Sequence, residues 1–565
     1  MLLDTFVCSN CKLSQIFPID KGLIRHYVNG SETPFQHASK LSLGYQAVGS
    51  EYSITNKKLK DSLDEFEDLL EKYSVTRVTF ITEENLQVLL NNGIIVYINL
   101  TNGNLSNIVI VRTLAKVLYG QIAFDELYFA GHVTPSYMIL VCSGKLCLST
   151  NAPDPAQFDK IFQHKIVNLE PDFCYVTHLS VANNMILLWT PEGNVIIYSP
   201  IGPGSTEVCR FTTPYRICAA QFNPATSTFL TCQLKPSSQG NVFHALSFTY
   251  DIVGKGKKAR VLEVIKHRIT HLRADVVCAK YNHACNKLLL GLSTGKVVLH
   301  CEQQKRNFTT EVATKHHLAS FTWHSSDSFF VAVLKSGYIQ VYDETLQIMS
   351  TSFGGFPDSQ MVDINRIFNI IRSVSSVELQ GNNIAVVMER GPLITMKVVM
   401  PNTEVGAAYF NKLLQVYFYR HQYKAASRLL RNCLHRFSSE DQLLSTIRDL
   451  VKHLVAAHFN ESVFAVGAEV LLLLKKEKNV SEKGRLVLTK LALKFILKAL
   501  HCKLYREALK LARKLDNEQI IGLVDQYVKF CGLSVTCKSP DQIKLSRKPT
   551  RINAEKSNDP VLSIT

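Results

Sequence analysis

The chain has 565 residues, of which 46% are hydrophobic and 19% charged, and a formal net charge of +16 at pH 7. That composition describes an ordinary soluble globular protein with room for two or three domains. It excludes a helical membrane-spanning chain: the longest apolar stretch, around Ser462–Leu474, is too short to cross and contains Glu469.

The N-terminal sequence, MLLDTFVCSNCK, has no basic segment followed by a long apolar one, so no signal peptide is expected. The 15 cysteines are scattered and odd in number, as in a protein with reduced cytoplasmic thiols. Leu2–Cys8 reads as a strand, and a propeller usually closes with a strand from one terminus completing the blade made by the other. Cys8 and Cys11 form a CxxC, but no second ligand pair follows at zinc spacing, so no metal is expected. Residues 57–73, KLKDSLDEFEDLLEKY in their body, are helical, with Leu63, Phe66, Leu69 and Leu70 as the apolar stripe.

Strand patterns dominate from there to about Val399. "FTWHSSDSFFVAVLKSGYIQVYD", Phe321–Asp343, is an apolar run, a glycine turn and a second β-rich run. Shifted back by 42 residues, "AKYNHACNKLLLGLSTGKVVLHC" (Ala279–Cys301) lies on it without a gap, Gly295 on Gly337. Weaker copies place the turn glycines at 93, 144, 193, 240, 295, 337 and 391. A period of this size is that of WD40 repeats, although Tyr342-Asp343 stands where the Trp-Asp pair would be. The expected fold is therefore a mainly β, seven-bladed WD40-like β-propeller over 1–400, with helix 57–73 inserted before the first blade.

At Pro401 the hydrophobic period changes from 2 to 3.6. An α-helical, solenoid-like C-terminal domain is expected over 401–535. Within it "HQYKAASRLL" aligns with "KLYREALKLA" at an offset of 82, Tyr423 on Tyr505 and Ala426 on Ala508. Residues 536–565, rich in Ser, Lys, Arg and Pro, are expected to form a disordered basic tail. From Asn411 onward there are 28 Lys and Arg against 14 Asp and Glu, so this part carries nearly all of the net charge. Lys490, Lys494 and Lys498, at i, i+4 and i+8, form one stripe. It reads either as a solvated face or as a contact for an acidic partner or an anionic membrane.

Nothing points to catalysis. "GLSTGKVV" lacks the spacing and hydroxyl of a phosphate loop and reads as a blade turn. No GxSxG, HExxH or paired-carboxylate pattern appears. The expectation is no enzyme and no cofactor. Basic residues without interleaved aromatics or a nucleic-acid motif argue against nucleic acid.

The order of the helix KLKDSLDEFEDLL, the blade KLLLGLSTGKVVLH and the turn ERGPL (Glu389, Arg390, Gly391, Pro392, Leu393) resembles the Fritz family of WD-repeat planar cell polarity effectors. The resemblance runs from about Lys57 to Lys529. It implies a non-catalytic scaffold of the ciliogenesis and planar polarity effector complex, working with Inturned-like and Fuzzy-like proteins. It also implies a small Rab-like GTPase, intraflagellar transport A components, septins and a peripheral phosphoinositide membrane as partners. The implied places are the cytoplasm, the basal body, the cilium base and axoneme, and the cytoskeleton. The alternative is a general vesicle-coat or membrane-tethering subunit, because propeller plus solenoid is also the coat-protein architecture.

Overall fold

The computed structural model describes strand residues 2–8, 25–26 and 50–51 and most of residues 56–547; its longer gaps are 9–24, 27–49, 113–128, 152–160, 365–372, 400–412, 433–438 and 548–565. The chain divides into two compact units, Met1–Lys412 and Leu413–Thr565.

In the first unit the hairpin pattern becomes seven antiparallel sheets, each a blade built around four strands. The innermost strands are Val75–Thr82, Phe129–Val133, His178–Ala182, Arg216–Phe222, Val276–Tyr281, Leu318–Trp323 and Val374–Gln380. Each packs beside the next in that order, and Val374–Gln380 packs back on Val75–Thr82, which closes a ring of seven blades. Closure at the chain level is made by Leu2–Cys8, which pairs antiparallel with Leu393–Val399 along its whole length as the fourth strand of the seventh blade. The sheet of that blade carries further short strands outside Leu2–Cys8, among them the hairpin Thr351–Phe353 with Phe356–Ser359.

Second strands such as Lys287–Leu292 and Phe329–Leu334 are buried at every position. Both of their faces meet a neighbouring blade, so they read as unbroken apolar runs rather than alternating ones. The repeat at 42 residues is reproduced in the backbone. Asn282 N–H donates to Lys287 O at 3.0 Å, and His324 N–H donates to Phe329 O at 3.0 Å. Cys285 and Asp327 take the same left-handed turn, at φ 55° and 56°.

Five of the seven turn glycines have positive φ: Gly93 (82°), Gly144 (72°), Gly193 (107°), Gly295 (81°) and Gly337 (85°). Gly240, and Glu389 to Pro392 with Gly391, lie outside the described residues, whereas Leu393 begins the third strand of the seventh blade. Tyr342, in place of tryptophan, is fully buried, stacks on Phe330 at 5.3 Å and donates to Gln340 Oε1 at 2.8 Å. Asp343 caps the following turn by accepting from Thr345 N–H (2.8 Å) and Gln347 N–H (2.9 Å).

Helix α1 spans Lys57–Lys72. Asn56 caps it by accepting from Leu59 N–H at 3.3 Å. Leu63, Phe66, Leu69 and Leu70 are buried in one cluster with Val88 and Ile108 of the first blade. Arg112 and Glu65, 2.6 Å apart, tie the same helix to that blade's outer edge.

Helices of the second unit include α2 (Tyr423–Asn432), α3 (Glu440–Ala456), α4 (Glu461–Lys475), α5 (Glu482–His501), α6 (Tyr505–Leu515) and α7 (Glu518–Phe530). The offset of 82 reappears in the turns that start α2 and α6. His421 (φ 55°) and Lys503 (φ 62°) are both left-handed, and each donates to the carbonyl three residues back, Phe418 or Leu500. Both helices pack on α4, and Ala426 and Ala508 are fully buried. Glu469, the charge inside the apolar run, accepts from Ser427 Oγ at 3.2 Å and pairs with Arg431. Phe495 of α5 covers Gly467 so closely that a Cβ would lie 2.2 Å from its ring.

A disordered tail was expected from residue 536. Instead Leu533–Cys537 and Ile543–Arg547 pair antiparallel. The reason is visible in the residues: Leu533, Val535, Cys537, Ile543 and Leu545 alternate with polar ones on both sides of the sequence Ser539-Pro540-Asp541. Residues 548–565 lie outside the described residues.

Replacing Gly337 by Val should destabilise the propeller by roughly 1–3 kcal/mol, because a β-branched residue is strained at φ 85°. Denaturant unfolding of both proteins checks this; equal midpoints would refute it.

Candidate functional site

The inner strands line a central channel of about 700 Å³. Six of the seven blades contribute to its described wall, with Arg77, Arg216, Lys280, Asp275 and Glu378 as its charged side chains. His178 stacks on Trp189 at 4.9 Å within it. His178 is exposed to the channel, and partial desolvation there, followed by the charges of Arg77 and Lys280, pushes its pKa down. The imidazole is therefore neutral at physiological pH, in a channel with more fixed positive than negative charge.

Blades five and six are latched by a buried polar network. Asp327, in the first turn of blade six, reaches the equivalent turn of blade five. It accepts from Asn282 Nδ2 (2.8 Å), His283 N–H (3.0 Å) and Ala284 N–H (2.9 Å). Burial pushes the Asp327 carboxyl up, but the hydrogen bonds from His283 and Ala284 outweigh it and leave the pKa lowered. A second link is the buried ion pair of Lys287 and Glu344. The side chains of Asn282, Asp327, Lys287 and Glu344 are all buried between the two blades.

The surface has two distinctive regions. Blade four is longer than its neighbours, with Phe243–Val253 and Arg260–Leu272 paired along their length and register shifts at Ala245/Leu246 and Thr249/Tyr250. Its far end exposes Val253, Leu262, Val264 and Ile265, the last three more than half exposed. Large apolar side chains exposed together at one end of a sheet are uncommon on a protein surface. No motif marks this ribbon in the sequence; its signal is the strand Arg260–Leu272 itself, too long for one ordinary blade strand. The other region is on α5. Lys490 and Lys494 are exposed, Lys498 is half-buried and Leu486 is 59% exposed one turn before them. None of the three lysines has an ion-pair partner among the described residues. No helix among those residues is long and apolar enough to cross a membrane.

The family model described as "WD repeat-containing and planar cell polarity effector protein Fritz" matches residues 49–187. The WD repeat-containing and planar cell polarity effector protein fritz homolog of Xenopus laevis is 23% identical over 353 residues. The chain is Fritz-like. The match covers 53% of this chain and 46% of the frog protein, so the chain spans about half the length of that curated relative. Of the residues that carried the Fritz resemblance, helix α1 lies inside the family match, whereas the 287–300 blade and the 389–393 turn lie beyond it. Among solved structures, the β-propeller domain of Myceliophteria thermophila Cps50 (Swd1) covers 57% of this chain and 97% of its own. Its identity is 9% and its TM-score 0.37, so the blade count rests on the strand pairing described above.

Asp327 sets a pH dependence. A carboxyl whose pKa is lowered by folding stabilises above its unfolded value, about 3.9, and loses that contribution as pH falls through the folded value. Asp327→Asn should therefore be less stable than wild type at pH 7, with the gap closing below about pH 4. Urea midpoints from pH 7 to pH 3 measure the gap; one that stays constant would show that the charge is not what matters.

Proposed function

We propose that this protein is a non-catalytic scaffold of the ciliogenesis and planar cell polarity effector complex, and that it binds Inturned-like and Fuzzy-like proteins through its propeller. The Fritz likeness supports the planar polarity role. The single structural observation that carries a binding role is the apolar end of blade four, where Leu262, Val264 and Ile265 are each more than half exposed. A ribbon of this kind suits burial under a partner protein, because removing exposed apolar surface from water favours association. The resemblance further suggests a small Rab-like GTPase, intraflagellar transport A components and septins as assembly partners, and the basal body and cilium base as the place of action.

The recurrent helical hairpin of the second unit favours reading that unit as a short solenoid, which keeps the vesicle-coat or tethering alternative in view. Capture of the full chain with Inturned-like and Fuzzy-like proteins of the same organism separates the two. Co-purification supports the effector reading, and failure of both proteins to bind sinks it. The variant Leu262→Asp/Val264→Asp should fold as wild type and lose at least about 1–2 kcal/mol of binding, roughly tenfold or more. Unchanged capture would place the interface elsewhere.

Lys490, Lys494 and Lys498 would add a peripheral contact with an anionic, phosphoinositide-containing leaflet. At about 1 kcal/mol per lysine near such a surface, the three together give on the order of a hundredfold. That is too little to hold the protein alone, so recruitment needs partners as well. The triple Lys→Glu variant should keep its fold and its partners and lose co-sedimentation with acidic liposomes. Sedimentation equal to wild type at low salt would leave the lysines as a solvated helix face.

A further inference from the structure

His267, His300 and Glu302 come together at the junction of blades four and five, with ligand atoms all within 4.8 Å of one another. His267 is on the outer strand of blade four and His300 on the third strand of blade five. We propose that these three side chains form a zinc site that clips the two blades together, with water as the fourth ligand.

The distances fit the ion. His267 Nε2 and His300 Nε2 are 3.1 Å apart, and Glu302 Oε2 is 2.9 Å from the first and 3.7 Å from the second. Tetrahedral zinc with ligand bonds of about 2.0–2.1 Å requires ligand atoms about 3.3–3.4 Å from one another. The three separations bracket that value, so the ion needs only small side-chain adjustments.

The surrounding groups prepare the ligands. Asn307 Nδ2 donates to the carbonyl of Ile269 at 2.8 Å, which turns Asn307 Oδ1 toward His300 Nδ1 at 2.7 Å. That oxygen can only accept, so His300 carries its proton on Nδ1 and presents a lone pair at Nε2. Asn307 is also the cross-strand partner of His300. On the other blade Ser247, the cross-strand partner of His267, donates to Glu302 Oε1 at 2.8 Å and leaves Oε2 facing the two imidazoles. Outer partners that fix tautomer and carboxylate orientation in this way are a regular part of zinc sites.

Without the ion, the close approach of the two Nε2 atoms requires a proton on His267 Nε2, which donates to Glu302. On binding, His267 moves that proton to Nδ1 and its Nε2 lone pair takes the metal. His300 is buried, whereas His267 and Glu302 are 20% and 18% exposed, so solvent reaches the open side. The arrangement gives three protein ligands, an open fourth position and an entry path.

The test uses the full chain, stripped with chelator and titrated with zinc chloride by calorimetry, with cobalt(II) as a spectroscopic probe. The expected result is one high-affinity equivalent that depends on this cluster, a tetrahedral cobalt absorption band, and a melting temperature raised by zinc. His267→Gln keeps a hydrogen-bonding side chain on a partly exposed position and should abolish the band and the zinc-dependent rise. Asn307→Ala leaves all three ligands in place and should weaken zinc binding by about 10- to 100-fold. Absence of zinc binding by folded wild type would overturn the proposal. So would binding that His267→Gln and Asn307→Ala leave unchanged, since the metal would then sit on other ligands.

Discussion

A strand buried on both faces cannot be satisfied within one blade, and the architecture of the first unit depends on this. Lys287–Leu292 and Phe329–Leu334 are buried at all six positions, so each needs a neighbouring sheet on either side. A row of such sheets always ends in an exposed face unless it curves back on itself. The contact of Val374–Gln380 with Val75–Thr82 removes that end. Pairing of Leu2–Cys8 with Leu393–Val399 then joins residues far apart in sequence, so the ring is held by main-chain hydrogen bonds as well as side-chain packing.

Closure by packing alone would leave neighbouring blades free to slide, because apolar contact is non-directional. Directional groups at the blade turns supply the register. Asp327 binds across to Asn282, His283 and Ala284, and Cys285, its counterpart one repeat earlier, reaches Phe222 O at 3.2 Å. Asn183, in the first turn of blade three, reaches the other way, to Asn223 and Thr226 in the first turn of blade four. Bridging between first turns recurs while the residue type and its direction change. Lys287 with Glu344 adds a buried charge pair across the boundary of blades five and six.

The basic charge and the exposed apolar ribbon are on different units. The propeller contributes rigid edges, and the blade-four extension presents apolar side chains on a sheet already anchored at its inner end. The helical unit carries most of the net charge, and the buried faces of its helices pack on one another.

The local rules of the chain were legible in its sequence. Glycine turns at 93, 144, 193, 295 and 337, the stripe of Leu63, Phe66, Leu69 and Leu70, and the turn and helix repeated after 82 residues are all set by neighbours in sequence. Each depends on backbone dihedral preference or on side-chain periodicity, which a linear reading can count. The hairpin at 533–547 was missed because its alternation is short and its composition resembles a tail. What only the tertiary structure decided is which distant residues meet. Asp327 finds Asn282, and His267 finds His300 and Glu302, across blade boundaries. Those distances follow from ring curvature and strand length, so no spacing in the chain encodes them locally.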